Sequence, residues 1–219
     1  DAHYAQKKRG GNRMSKKWKK FLAAALCGLC LQAPVSAVTE PVAVMAENVK
    51  SGLQKENGKI YFYENGQKVR NTWKTVREVK KGKSVVSRYY FGANGAAYAG
   101  RKVYGTNVPA IKNINGKVYG FGSEGRMLRG IYVVNGKFYV FDSKTGVVNQ
   151  TKSARRRSAS AYEKDAAQLR SLLGRPKKTK VMDSCYGDGK DLILNYSTFY
   201  VNLFRNQQGK EIVLGVSGI

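Results

Sequence analysis

Four pairs of aromatic residues stand two positions apart in the sequence: Tyr61 and Tyr63, Tyr89 and Phe91, Tyr119 and Phe121, Tyr139 and Phe141. On a strand that spacing puts both rings on one face. A ring face attracts cations through its quadrupole, and it can also stack on a flat sugar. Basic residues crowd the stretch after the first pair, at Lys74, Arg77, Lys80, Lys81 and Lys83, directly behind Trp73. Such a surface suits polyanions, although exposed lysines also keep sheet edges soluble and block edge pairing. The candidate ligand-contacting residues are therefore Tyr61, Tyr63, Trp73, Tyr89, Phe91, Tyr119, Phe121, Tyr139 and Phe141, with Lys74, Arg77, Lys80 and Lys81. Most of these rings are expected to be core, because one isolated hairpin cannot bury its own aromatic face.

Residues that could carry catalysis are few. The sequence has one histidine, His3. Cys185 as a nucleophile would need a base to form its thiolate, typically a histidine; a half-buried structural thiol is the expectation. Asp183, Asp188 and Asp191 flank a Gly-rich turn but fall short of the six or more oxygen ligands of a calcium loop. No phosphate-binding loop, zinc spacing or nucleophile elbow occurs. The expectation is a protein that is not an enzyme, with no cofactor and no metal.

The chain has 219 residues, with 40 Lys plus Arg against 14 Asp plus Glu, a formal net charge of +26. Part of this charge belongs to a leader. Lys16, Lys17, Lys19 and Lys20 precede an apolar run over 21–31 and a small-residue site at Val35, Ser36 and Ala37, which is the layout of a secretory signal peptide. The run is too short to span a bilayer, which takes about 20 residues. Cleavage is expected after Ala37, with Ala46 as the alternative. Met14 is the natural start of that leader, so residues 1–13 read as an upstream, non-native extension. From residue 38 onward, 32 basic and 13 acidic residues leave +19, one cysteine and no histidine. Residues 38–50 read as a lead-in.

The aromatic pairs belong to a repeat. Residues 57–66, 87–95, 115–125 and 135–146 align, with Tyr61, Tyr89, Tyr119 and Tyr139 equivalent. Asn-Gly occurs at 57–58, 65–66, 94–95, 115–116 and 135–136, and both residues tolerate the positive φ of a tight hairpin. Each unit is expected to be a strand, a turn and a second short strand over residues such as 67–71, 127–130 or 147–150. Stacked neighbours would bury the rings as a solenoid.

Over roughly residues 51–153 these units resemble the cell-wall-binding repeats, of choline-binding and glucan-binding type, found in secreted Gram-positive proteins. The matching elements are Asn-Gly-Lys, an aliphatic or aromatic residue, Tyr, any residue and an aromatic, then a turn and a small strand. The resemblance implies a β-solenoid and non-catalytic attachment to surface polymers. Units of that family usually carry a tryptophan that helps build an aromatic cage for choline. The corresponding places here hold Leu53, Trp73, Arg101 and Ile131, so only one keeps the indole. What remains is a tyrosine-rich solenoid in which residues 38–153 carry 20 basic and 7 acidic residues, a net of +13.

Composition changes at residues 151–161, where Arg155, Arg156 and Arg157 fall among small polar residues; residues 154–160 read as a solvated basic linker. A helix should follow from Ser158 or Ser160, carrying Tyr162, Ala166, Leu169, Leu172 and Leu173 and ending at Gly174. Strands are expected at 179–183, 192–196 with 199–204, and 211–216. Residues 161–219 would then be a small α+β module, one helix on a three- to four-stranded antiparallel sheet, loosely resembling small envelope and β-lactamase-inhibitor-like modules. The whole is expected to be mainly β: a hairpin-repeat solenoid and then this module.

The expected function is a secreted, wall-associated binder of teichoic acid or peptidoglycan-linked glycans, with no specific nucleic acid partner and no membrane-spanning segment once the leader is removed. The alternatives are a charge-driven binder of nucleic acid or anionic membrane, and an enzyme with an unrecognised C-terminal site.

Overall fold

The computed structural model describes residues 49–80 and 82–219. The upstream extension, the leader and most of the lead-in, together with Lys81 and the side chain of Lys80, lie outside the described residues.

Local turn chemistry builds the first two-thirds. β1 (Gly52–Glu56) and β2 (Lys59–Glu64) meet across Asn57 and Gly58, with φ values of 48° and 76°. β8 (Ala110–Ile114) and β9 (Lys117–Phe121) meet across Asn115 and Gly116, at 50° and 77°. β10 (Gly130–Val134) and β11 (Lys137–Phe141) meet across Asn135 and Gly136, at 49° and 69°. Two consecutive positive-φ residues make the tight turn whose twist matches that of the flanking strands. The tyrosine-bearing strand is therefore the second of its hairpin, and its main partner lies before the Asn-Gly, not after it as the sequence suggested. The stretch after each tyrosine strand is a tail: β3 (Gln67–Lys68) in the first unit, single bridges such as Phe121 with Met127 and Phe141 with Val148 in later ones. Asn94-Gly95 closes no two-residue hairpin, because only Gly95 has positive φ and its N–H returns to the Gly92 carbonyl.

Two more hairpins complete this part. β4 (Thr72–Lys80) and β5 (Lys83–Phe91) pair over nine residues each, so the basic stretch expected between the first two units is itself strand. β6 (Arg101–Val103) and β7 (Thr106–Val108) form a short hairpin over Tyr104 and Gly105, whose φ values of 46° and 80° repeat the turn with tyrosine in place of asparagine. It lies between Tyr89 and Tyr119, and it moves the third unit's equivalent of Trp73. Trp73 faces Tyr90 in register, as Leu53 faces Phe62 and Ile131 faces Val140; in the third unit Ile111 faces Gly120. Arg101 is not the equivalent, because it lies in the inserted hairpin.

Each tail reaches back to the unit before it. Ala97 N–H donates to the Ile60 carbonyl at 2.7 Å, Met127 N–H to Arg88 at 2.8 Å, and Val148 N–H to Val118 at 2.8 Å. The accepting residues immediately precede Tyr61, Tyr89 and Tyr119, so the link repeats in register.

The remainder starts earlier than the composition suggested. α1 (Gln150–Ala159) occupies most of the expected linker, capped by the Asn149 side chain on Lys152 N–H at 2.9 Å. Its buried residues are Ser153 and Ala159; small side chains let a polar, arginine-rich segment dock closely without an apolar stripe. α2 (Ala167–Leu173) ends at Gly174 as expected, but it is a single short turn pair rather than a helix from Ser160, and Tyr162 lies exposed before it. β12 (Lys178–Asp183), β13 (Gly189–Asn195), β14 (Phe199–Asn206) and β15 (Glu211–Gly218) form one antiparallel sheet in sequence order.

One core joins the two parts. Val133 and Phe138 of the last repeat hairpin are buried with Ala159, Leu169, Leu192, Leu194, Phe199, Val201, Leu203 and Val213. Phe138 meets Phe199 edge to face at 5.2 Å. The described residues accordingly cluster as one unit. The described fold is mainly β, a series of small antiparallel hairpins plus this sheet and two helices. No helix among the described residues is long and apolar enough to cross a membrane.

Candidate functional site

The nine candidate rings divide by burial. Tyr63, Tyr89, Phe91, Phe121 and Phe141 are between 0% and 6% exposed. Their faces are spent on neighbouring side chains, so they cannot receive a ligand and leave the candidate set. Tyr61, Trp73, Tyr119 and Tyr139 are half-buried and keep part of each ring open.

Strand alternation decides which basic residues accompany them. Thr75 pairs with Arg88, and Arg77 with Val86, so Trp73, Arg77, Arg88 and Tyr90 share one face of the β4–β5 hairpin. Lys74 is on the opposite face, with its Nζ 2.7 Å from Glu64. The Lys80 side chain and Lys81 lie outside the described residues. Of the predicted basic group only Arg77 shares the strand face of Trp73, four residues along; it is exposed and makes no ion pair with the described residues.

Trp73 is the centre of the largest ring group. Its centroid is 5.2 Å from Tyr90, 4.9 Å from Tyr119 and 5.9 Å from Phe121, and Tyr98 closes the set at 5.2 Å from Tyr90 and 5.8 Å from Phe121. Ile114 and Met127 lie beneath it. Two units contribute, because the second unit supplies Trp73, Tyr90 and Tyr98 while the third supplies Tyr119 and Phe121.

Side-chain cations already sit over the open rings. The Arg88 guanidinium lies 4.6 Å from the Trp73 centroid, and Lys112 Nζ 5.3 Å from that of Tyr98. Lys68 Nζ is 3.5 Å above Tyr61, and Arg157 is 5.9 Å from Tyr139. Such pairs are worth about 0.5–1 kcal/mol each at exposed sites. Lys68, Arg88, Lys112 and Arg157 were not foreseen as ring partners. Arg88 and Tyr90 obey the same i, i+2 rule as the ring pairs, and Lys68 pairs with Tyr63 across the Asn65-Gly66 turn and so shares the face of Tyr61, so both signals were available; Lys112 and Arg157 reach their rings by tertiary packing.

The first unit adds an ion cluster. Lys50 and Lys68 lie 2.7 and 2.9 Å from the Glu56 carboxylate, and Tyr63 Oη donates to it at 2.9 Å. Hydrogen bonds from Lys50, then Lys68 and Tyr63, lower the Glu56 pKa to about 2. The same partnership raises the pKa of Lys68, so this cation stays charged over Tyr61. Further along, Arg126 bridges Glu78 and Glu124 at 2.8 and 2.6 Å, tying the β4–β5 hairpin to the third unit.

The residues weighed for catalysis are scattered. Asp183 pairs with Lys190, and Asp191 accepts from Ser184 Oγ at 2.6 Å. Cys185 is exposed rather than half-buried, because it lies in a turn that no other element covers. No group of three or more acidic, histidine or cysteine side chains is placed to hold a metal among the described residues.

No family model matches this chain, and a search of curated proteins returns no match. Solved structures do. The modular Cpl-1 endolysin complexed with a peptidoglycan analogue is 16% identical, covering 74% of this chain and 36% of its own, with a TM-score of 0.34. Choline binding protein F from Streptococcus pneumoniae is 18% identical over 74% of this chain and 51% of its own, at 0.31. Truncated alternansucrase from Leuconostoc mesenteroides is 18% identical over 71% of this chain and 11% of its own, at 0.32. The chain thus spans between about a tenth and about a half of the structures it matches. These neighbours include choline-binding proteins and an alternansucrase.

Proposed function

We propose that this chain is a secreted, non-catalytic surface protein whose hairpins stack as a β-solenoid and bind an anionic cell-wall polymer, teichoic acid or an acidic glycan linked to peptidoglycan. The observation that carries the reading is the seating of Lys68, Arg88, Lys112 and Arg157 over Tyr61, Trp73, Tyr98 and Tyr139. A free organic cation such as choline would have to displace a tethered one from each ring. Arg88 and Lys112, each held by a ring on one side and making no ion pair with the described residues, keep donors for phosphate or carboxylate on the other, whereas Lys68 already shares the Glu56 carboxylate. The three tail-to-strand hydrogen bonds support the stack, and the +13 of residues 38–153 supports an anionic partner. The helices and four-stranded sheet are proposed as an α+β module that closes the end of the stack, since solenoid ends need a cap and Val133 and Phe138 share its core.

Co-sedimentation with purified Gram-positive walls tests this. The full chain should sediment with intact walls, be released progressively by added salt as ionic contacts are screened, and sediment poorly with walls stripped of teichoic acid and other anionic polymers. Salt-insensitive retention on stripped walls would defeat the proposal.

A further inference from the structure

The four-stranded sheet has two unlike faces. Leu192, Leu194, Val201 and Leu203 point into the shared core. The alternate positions form the opposite face, and no other element of the described chain fills a depression of about 450 Å³ on it. The register orders its side chains into rows: Lys178 beside Asn195 beside Tyr200 beside Ser217, and Lys180 beside Ile193 beside Asn202 beside Gly215. Gly215 contributes no side chain, and a Cβ built there would meet nothing within 4 Å, so the second row ends in open space.

The polar groups here are unemployed. The side chains of Lys178, Lys180, Tyr200 and Asn202 make no hydrogen bond, ion pair or ring contact with the described residues. Asn195 accepts from the Ser197 N–H at 2.7 Å through Oδ1, which leaves its amide nitrogen without a partner. By contrast, the nearby charges that serve the fold are paired: Asp183 with Lys190, and Glu211 with Arg170 and Arg205. The Asn195 and Asn202 amides are half-buried but not sealed from solvent, so a ligand's hydroxyls can take the place of water there.

We propose that this face is a second binding site, distinct from the hairpin rings, for an acidic sugar chain of uronic-acid type. Tyr200 and Ile193 offer a flat apolar floor for one sugar ring. Asn195, Asn202 and Ser217 offer donors and acceptors for hydroxyls. Lys178 and Lys180, side by side on the edge strand two residues apart, meet the carboxylates. The positive charge selects against a neutral glycan, and the aromatic floor between amides selects a ring-bearing polyanion over an extended acidic peptide. The proposal does not depend on the wall-binding reading of the hairpins.

Titrating the isotopically labelled full chain with tetragalacturonic acid, read by backbone amide shifts, tests it. Shifts should appear at residues 178–180, 193–202 and 215–217. Maltotetraose and tetraglutamate should bind at least about tenfold more weakly, a difference of about 1.4 kcal/mol. The double substitution Lys178→Ala with Lys180→Ala, and separately Tyr200→Ala, should each weaken tetragalacturonate by a similar factor. Asn202→Asp, nearly isosteric, should do so while leaving the rest of the spectrum in place, which separates lost binding from lost folding. Shifts confined to the hairpins, equal affinity for tetraglutamate or maltotetraose, or affinity indifferent to these substitutions would overturn the proposal.

Discussion

At the residue scale, equivalent positions in the repeat do unequal work. Tyr89 is packed away, whereas its equivalents Tyr61 and Tyr139 carry a cation on an open face; Phe121, like its equivalents Tyr63, Phe91 and Phe141, is buried. Phe121→Ala should therefore lower the unfolding free energy by about 3–5 kcal/mol, the usual cost of emptying a large buried ring site, measured by urea denaturation. Tyr61→Ala should cost far less stability and should weaken retention on walls. Acid should loosen the first unit. The Glu56 carboxyl has its pKa lowered from 4.5 to about 2 by its Lys50, Lys68 and Tyr63 partners. A depressed carboxyl pKa gives stability that is fully present above the unfolded value and lost as pH falls through the folded one. Thermal unfolding should thus weaken from about pH 4.5 down toward pH 2, and Glu56→Gln should flatten part of that slope; an unchanged slope would remove Glu56 from the account. The sequence showed which rings share a strand face, because that follows from period two. It did not show which rings are open, because depth is set by the neighbouring unit's tail.

At the element scale, the stack depends on close approaches that one residue type permits. Gly120 stands where the other units carry Phe62, Tyr90 and Val140, and a Cβ there would come within 2.3 Å of the Phe141 ring. Gly120→Ala should cost about 1–3 kcal/mol by overpacking, seen as a lower denaturation midpoint. The docking of α1 rests on Ser153, whose hydroxyl accepts from Val140 N–H at 2.9 Å and donates to Asn149 O at 2.7 Å. Ser153→Ala should leave the Val140 N–H unpaired and cost about 1–3 kcal/mol; a neutral result would mean that water replaces the hydroxyl. Turn signals made the hairpins legible, since Asn-Gly has a direct backbone meaning. α1 was not legible: its buried residues are small and polar or apolar without period, so the segment reads as linker although it packs as helix. The β6–β7 hairpin was missed for a related reason, as its turn carries Tyr104 in place of asparagine.

At the scale of the whole molecule, the hairpins and the C-terminal sheet share Val133 and Phe138, so the chain has no exposed hinge at residues 154–160, where the composition changes. The four strands of the sheet were foreseen nearly in place, because turns bound them and β13 and most of β14 alternate; its connection to the repeats was not, because contacts between distant segments leave no local mark. The central claim is that tethered cations on the hairpin rings face an anionic polymer. The most direct measurement is competitive release of wall-bound protein. Soluble poly(glycerol phosphate) should release it, and choline at matched ionic strength should not. Release by choline, with poly(glycerol phosphate) no better than simple salt of equal ionic strength, would contradict the account.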